Sequence, residues 1–169
     1  PALRDAERVE KLWQYVSDGT IDTIGSDHAP YTVAEKEKCP EDIFKAPAGF
    51  PGLETRLGFM LKAVHENRIT LERAVDLLSH NPARIFGLAP RKGAIRLGAD
   101  ADLILLNPFE PFTVHAEEFL TMAKDICKFL NGTELYGKVQ KTFVRGKLVF
   151  DQRQVLVAPG WGQWIIPER

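Results

Sequence analysis

Residues 20–31, TIDTIGSDHAPY, begin with β-branched residues and end in a polar cluster. The β-branched first half predicts a strand over residues 20–26. Asp27 and His28 follow directly at its carboxyl end. Because carboxylate and imidazole groups can bind metal ions or move protons, the end of this strand is a candidate active site.

Helical patterns flank the predicted strand. Apolar residues recur every three or four positions over residues 5–16 and again over residues 57–64, which predicts one helix on each side. Thr70 is a plausible N-cap for a further helix, and Asn81-Pro82 is predicted to end that helical stretch. Helix, short turn and strand in succession are typical of an α/β fold.

The composition changes near residue 89. Residues 103–106, LILL, predict a buried strand after a glycine-punctuated loop. Residues 141–150 contain two β-rich runs around a glycine and predict a hairpin with Gly146 in the turn. We therefore expect a boundary near residue 89, with an α/β part before it and a mostly β part after it.

The bulk composition excludes several classes of protein. The 169 residues are 44% hydrophobic and 27% charged, which is ordinary for a soluble globular protein. A net charge of −1 gives no reason to expect nucleic acid or an anionic membrane as a partner. Cys39 and Cys127 are far apart, and two lone thiols favour a reducing, cytoplasmic setting, with a single disulfide as the alternative.

Asp27 is the sharpest candidate for chemistry. In a barrel fold, the carboxyl end of a strand is where catalytic residues lie. A carboxylate there can bind a divalent metal ion, take a proton from a metal-bound water and pass it to a leaving nitrogen. Its structural alternative is a capping aspartate in a turn. His28 is either a ligand or hydrogen-bond donor, or a structural histidine.

The other polar features carry weaker signals. Residues 46–52, APAGFPG, predict a structured loop whose glycines allow backbone groups to approach a substrate, although a plain turn explains the same residues. The run EKEK at residues 35–38 is interpreted as a solvated face. Three histidines lack a partner at metal-ligand spacing and are interpreted as structural or solvated. They are His65, His80 and His115.

Five blocks of the chain occur in a familiar order. They are PALRDAERVEKLW, GTIDTIGSDHAPY, APAGFPGLETRL, NPARIFGLAPRKGAIRLGADADLILLNP and GKVQKTFVRGKLVF. Together they resemble the C-terminal portion of the cyclic amidohydrolases, a group that includes hydantoinase/dihydropyrimidinase, dihydroorotase and allantoinase. The resemblance covers nearly the whole chain.

The resemblance implies a TIM-type (β/α)8 barrel beside a small β-sandwich domain. Residues 1–88 would be the last helix–strand–helix segment of the barrel, and residues 89–169 the C-terminal contribution to the β-sandwich plus a tail. The group is a set of metal-dependent hydrolases, and its site holds two metal ions, usually zinc. A hydroxide that bridges the metals attacks the ring carbonyl, and an Asp after the last strand serves as metal ligand and general base and acid.

Carried over by motif, that role falls on Asp27. The family's loop that contacts the ring amide through its backbone corresponds to Ala48 and Gly49. His28 would hold the site together through contacts with its neighbours, without binding the metal itself. Tyr31 stands where dihydroorotases usually carry a His that helps to hold the substrate carboxylate, so it is a substrate-binding candidate, and an aromatic residue there is more like a hydantoinase.

The family's remaining metal ligands are histidines and a carboxylated lysine on earlier strands, and this chain has none of them. Since a zinc site takes about four ligands, one carboxylate is insufficient. The chain begins with Pro1 rather than Met. We therefore expect an incomplete, inactive fragment that works with the missing N-terminal part of the barrel, in a homo-oligomer.

The substrate class is a small cyclic amide, in the form of a five- or six-membered ureide. GFPGLETRL and PGWGQW favour a hydantoinase, whereas HAPYTVAEKE followed by GLET favours a dihydroorotase. Allantoinase is an alternative. The alternatives from other classes are a non-catalytic scaffold of the same fold, which would lack the upstream ligands, and an independent binding domain.

Overall fold

The computed structural model describes residues 4–38 and 40–167. Helices occupy the first half of the chain and strands the second. The helices are α1 (Ala6–Asp18), α2 (Val33–Lys36), α3 (Leu53–His65), α4 (Leu71–Val75) and α5 (Asn81–Ile85), and the strands are β1 (Leu103–Leu106), β2 (Pro111–Thr113), β3 (Glu134–Tyr136), β4 (Val139–Val144), β5 (Lys147–Asp151) and β6 (Gln154–Val155). Short 3₁₀ turns cover Ile43–Lys45, Ala116–Glu118 and Lys124–Leu130.

The first predicted helix is confirmed as α1. The Asp5 side chain accepts a hydrogen bond from the Arg8 amide at 2.9 Å and so caps the N-terminus of the helix. Gly19 follows at φ +93°, the left-handed conformation that glycine adopts most easily at a helix end. The predicted apolar face packs inward only in its C-terminal half. Val16 is buried in a cluster with residues of α3 and α4 and Trp13 packs against that cluster, whereas Val9 is 43% exposed.

The predicted strand over residues 20–26 is wrong as a sheet element. The segment is extended, but it belongs to no sheet of the described residues. The Ile24 amide instead donates to the Leu77 carbonyl at 3.2 Å, and the Asn81 side chain donates to the Asp22 carbonyl at 3.0 Å. A strand requires a hydrogen-bonded neighbour, and helix residues take that place here.

Asn81-Pro82 does not end the helical stretch. The helix widens into a π-helical turn over Asp76–His80, and α5 continues from it with Pro82 in its first turn. A proline is tolerated there because the first amides of a helix need no partner within it. The prediction failed because the change of helical pitch removes the conflict that proline creates in a regular helix.

The sheets are antiparallel. One has four strands in the order β1-β4-β5-β6, and the other joins β2 to β3. The predicted hairpin is confirmed: β4 and β5 are joined by Arg145 and Gly146, both at positive φ, which matches the tight turns that suit strand twist. The described residues form no closed barrel.

The strand predicted over residues 103–106 is confirmed, but it is not buried. Leu103, Ile104 and Leu105 are all exposed by a third or more of their surface. The reason is that β1 lies at the edge of its sheet, and one side of it opens onto an apolar groove of about 350 Å³ beside α3 and α4 rather than onto packed side chains.

Packing crosses the predicted boundary at residue 89. One buried cluster joins α1, α3 and α4, and a second, centred on Leu135 and Cys127, belongs to the later part of the chain. Helix α3 contacts both parts: a side chain at Gly58 would lie 3.0 Å from Leu135, and the His65 ring stacks on Tyr136 with centroids 4.0 Å apart. The two-domain division itself stays a prediction.

Candidate functional site

Asp27 lies in a turn at the end of the extended segment. Its φ is +44°, a conformation that few non-glycine residues adopt and that aspartate tolerates better than most. The residue is exposed to solvent. Unusual backbone conformations of this kind cluster at functional sites, where the surrounding structure holds them in place.

His28 fixes that turn to the start of α3. Its Nδ1 accepts a hydrogen bond from the Gly52 amide at 3.1 Å and a longer one from the Leu53 amide at 3.4 Å. Since Nδ1 acts as an acceptor, the neutral ring carries its proton on Nε2. The imidazole therefore satisfies amides at the N-terminus of α3 that have no partner within the helix.

The loop over residues 46–52 packs against the Asp27 turn. The Ala29 amide donates to the Phe50 carbonyl at 3.2 Å. A Cβ added to Gly49, which has φ +90°, would lie 2.7 Å from the Ala29 Cβ and 4.0 Å from the Asp27 carbonyl oxygen. This contact excludes any larger residue at Gly49, and it brings Gly49 close to Ala29 and the Asp27 backbone; Ala48, the residue before it, is exposed.

Lys36 links the Tyr31 ring to the same loop. The Lys36 ammonium lies 5.9 Å from the centroid of the Tyr31 ring and donates to the Pro47 carbonyl at 2.6 Å. The solvated-face interpretation of residues 35–38 is therefore wrong at Lys36, which is half-buried. It is also wrong at Glu35.

Glu35 closes a capping box with Thr32 at the start of α2. Hydrogen bonds from the Thr32 amide and hydroxyl hold the pKa of the Glu35 carboxyl below its usual range. The sequence does carry the signal for this, because Thr-x-x-Glu is the pattern of a capping box. That pattern would have placed a helical turn at residue 33 and Lys36 at its end.

The described residues contain no group of three or more His, Cys, Asp or Glu side chains able to hold a metal ion. By themselves they therefore do not fit a metal centre, and Asp27 fits only as one ligand among others. Two of the histidines interpreted as structural or solvated have partners elsewhere: His65 stacks on Tyr136, and His115 Nδ1 lies 3.6 Å from a carboxylate oxygen of Glu117.

Cys127 is completely buried, and Cys39 lies outside the described residues, so the disulfide alternative stays a prediction. Burial and the nearby negative charge of Glu54 raise the pKa of the Cys127 thiol. No helix among residues 4–38 and 40–167 is long and apolar enough to cross a membrane.

The chain is thus an α/β protein in which a carboxylate-bearing turn meets a glycine-containing loop, and known structures share its arrangement. The crystal structure of the D-hydantoinase from Bacillus sp. AR9 matches 98% of this chain with a TM-score of 0.89 and 34% identity, over 36% of that structure's chain. The sequence profile of the amidohydrolase family matches residues 3–149. This chain belongs to the amidohydrolase family, and the resemblance to its cyclic amidohydrolases is confirmed.

Two relatives show how far the match extends. The chain is 39% identical to the L-hydantoinase of Paenarthrobacter aurescens over 166 residues, which are 98% of this chain and 36% of that enzyme. It is 40% identical to the dihydroorotase of Halobacterium salinarum over 155 residues, which are 89% of this chain and 34% of that protein. The chain therefore spans about a third of the length of these relatives.

Proposed function

We propose that this chain is part of a metal-dependent hydrolase that opens the amide bond of a cyclic ureide, in the manner of a hydantoinase or a dihydroorotase. Membership of the amidohydrolase family supports the reaction class. The observation that carries the proposal is the packing of Gly49 against the Asp27 turn. This packing supports a site in which the Asp27 carboxylate and the backbone of Ala48 and Gly49 contact one small substrate.

In this proposal Asp27 moves the proton. Its carboxylate accepts a proton from the attacking water and delivers it to the ring nitrogen as the amide bond breaks, which is general base and then general acid catalysis. The backbone of Ala48 and Gly49 binds the ring amide and orients it. Tyr31, 41% exposed and linked to the loop through Lys36, lines the substrate side.

Asp27 also contributes one ligand to the metal centre, for which we propose two zinc ions. When bound, the metal ions polarise the ring carbonyl and make water a nucleophile near neutral pH. The other ligands must come from outside the described residues, because those residues contain no group able to hold a metal ion. We therefore propose that the chain acts within a longer polypeptide that completes a (β/α)8 barrel, with residues 89–169 in a β-sandwich domain and tail.

The proposal of a longer polypeptide has a direct test. The mass of the gene product, measured from its source, should clearly exceed 19.0 kDa. A gene product whose mass does not exceed 19.0 kDa and that is active on its own would contradict the proposal that metal ligands and part of the site lie outside this chain. A cytoplasmic location and a homo-oligomeric state stay predictions.

The proton-transfer role is tested by Asp27→Asn in the complete protein. We expect turnover to fall by at least about 10²-fold, because an amide cannot accept the proton and binds metal weakly. The matched control is Asp22→Asn, which makes the same change at an exposed position five residues earlier and should leave the rate within about twofold. A variant at Asp27 that keeps more than a few per cent of the rate would remove this residue from the mechanism.

The substrate is tested by comparing dihydroorotate, hydantoin, dihydrouracil and allantoin, with metal analysis of the same sample. The hydantoinases and dihydroorotases among the relatives support hydantoin and dihydroorotate. Dihydrouracil and allantoin test the dihydropyrimidinase and allantoinase alternatives. A complete protein that binds no metal and hydrolyses none of the four would favour the non-catalytic scaffold instead.

A further inference from the structure

The loop over residues 46–52 and the start of α3 contact two other segments of the chain. One is the Asp27 turn. The other is residues 119–129, here called the brace, which follow more than 60 positions later in the chain. The brace makes three separate contacts, and each reaches the end of the loop or the first turn of α3.

The first contact is made by Glu54, in the first turn of α3. Its carboxylate accepts hydrogen bonds from the Leu120 amide at 2.9 and 3.1 Å and from the Thr121 amide at 3.1 Å. Hydrogen bonds from amides to an ionised carboxylate are stronger than those between neutral groups. Leu120 is 83% exposed, so apolar packing of its side chain does not explain why the brace lies there.

The second contact comes from Cys127, whose Sγ lies 3.8 Å from the Pro51 carbonyl oxygen. Its raised pKa keeps the thiol protonated, as a donor requires. The third contact is an aromatic pair: the Phe50 and Phe129 rings meet edge to face with centroids 5.7 Å apart. Phe50, Pro51 and Glu54 thus each have a partner in the brace.

The same stretch of the chain also contacts the Asp27 turn. The Phe50 carbonyl accepts from Ala29, and the Gly52 amide donates to His28. Residues 50–54 therefore have partners in both the turn and the brace, whereas Ala48, immediately before them, is exposed and Gly49 is half-buried.

We propose that the brace sets the position of the loop over residues 46–52 and that Glu54 is a positioning residue for the backbone groups of Ala48 and Gly49. This inference rests on the proposed function. Glu54 touches neither substrate nor metal in this proposal; it acts by fixing the loop, so its loss weakens substrate binding more than it slows the chemical step.

The test uses Glu54→Gln in the complete protein. Gln keeps the size of the side chain but loses its negative charge, so its hydrogen bonds to the amides are weaker. Its amide nitrogen also cannot accept, so a Gln oxygen in the Oε1 position loses the Leu120 contact at 2.9 Å. We expect KM to rise by about tenfold while kcat stays within about twofold, because a displaced loop binds the ring amide less well. Glu66→Gln, the same change at the other end of α3, is the control and should alter neither constant.

A second measurement needs no activity. Hydrogen exchange of the Gly52 and Leu53 amides, which donate to His28 rather than to the brace, should become at least about threefold faster in Glu54→Gln than in Glu66→Gln. Unchanged exchange at these two amides together with unchanged KM would overturn the inference. If no substrate is turned over even by the unmodified protein, the proposed function fails, while the exchange rates still decide whether the brace holds the loop.

Phe129→Leu tests the brace through a different contact. Phe129 is 66% exposed, so this change leaves the core intact. Phe109→Leu, at a residue that is 60% exposed and outside the brace, is its control. The inference is supported if exchange at Gly52 and Leu53 is faster in Phe129→Leu but not in Phe109→Leu. Equal exchange rates in the two variants contradict it.

Discussion

Gly52 shows how a single residue fixes the candidate site. A Cβ at this position would lie 2.5 Å from the Ser26 carbonyl oxygen, closer than nonbonded atoms approach. The neighbour is backbone, which cannot rotate away as a side chain can. The absence of a side chain at Gly52 therefore allows α3 to begin directly against the segment that carries Asp27.

We predict that Gly52→Ala destabilises the protein by about 1–3 kcal/mol, the usual cost of forcing extra atoms into a filled space. The displaced loop should also raise KM. Gly25→Ala is the matched control, because an added Cβ there meets no atom within 4 Å. Thermal unfolding and steady-state kinetics of both variants measure the effect. Equal melting temperatures for Gly52→Ala and Gly25→Ala would show that the contact with the Ser26 carbonyl does not destabilise the protein.

At the scale of elements, Arg73 of α4 joins α1 to the extended segment. Its Nε donates to the Val16 carbonyl at 2.8 Å, and its guanidinium also donates to the Ile21 carbonyl. Val16 lies in the last turn of α1, where carbonyls lack partners within the helix. One side chain thus satisfies two backbone groups and holds the segment that leads to Asp27.

We predict that Arg73→Met lowers the free energy of unfolding by about 1.5–3 kcal/mol, since it leaves both carbonyls without their charged donor. Arg84→Met, at an exposed arginine of α5, should change it by less than about 0.5 kcal/mol. Denaturant titration of the two variants makes the comparison. Equal midpoints would mean that water replaces Arg73 at little cost.

At the scale of the whole molecule, a charged cluster ties the loop after the helices to the β4–β5 hairpin. The Lys92 ammonium lies 2.8 Å from an Asp100 carboxylate oxygen and also contacts Asp102. Asp102 in turn accepts from the Arg145 amide in the hairpin turn at 2.7 Å. The cluster therefore connects the loop that follows the helices to the hairpin turn, within the part of the chain after residue 89.

The cluster shifts the titration of its members. Hydrogen bonding from Lys92, helped by Arg91, lowers the pKa of the Asp100 carboxyl. Burial works against ionisation of Asp102, but hydrogen bonds from Lys92 and the Arg145 amide outweigh it and lower that pKa too. Because both values are lower in the folded state than in the unfolded chain, the cluster stabilises the fold above the unfolded carboxyl pKa and loses this contribution as pH falls through the folded values.

We predict that Lys92→Met is less stable than the unmodified protein at pH 7 and that this difference shrinks as the pH falls below about 5. The physical reason is that protonated carboxyls gain little from the lysine. Melting temperatures measured from pH 7 to pH 3 test it, with Lys124→Met as a control at an exposed lysine outside the cluster. A difference that stays constant with pH would exclude the cluster as its source.

The sequence predicted the elements whose signals are local. The cap at Thr70, the helical spacing of α1 and α3 and the turn at Gly146 each depend on residues only a few positions apart, and the structure confirms each. Predictions that depended on distant partners failed. The strand over residues 20–26 is bonded to helix residues, and β1 lies at an exposed edge.

For the site, the sequence by itself determined the family and a candidate carboxylate, because the motif around Asp27 is a continuous stretch of residue types. Only the tertiary structure decided what surrounds it. The contacts of Gly49 with Ala29, His28 with Gly52, and Glu54 with the brace join residues about 20 to 67 positions apart. No local periodicity encodes such contacts, since they depend on how separately formed elements pack against one another.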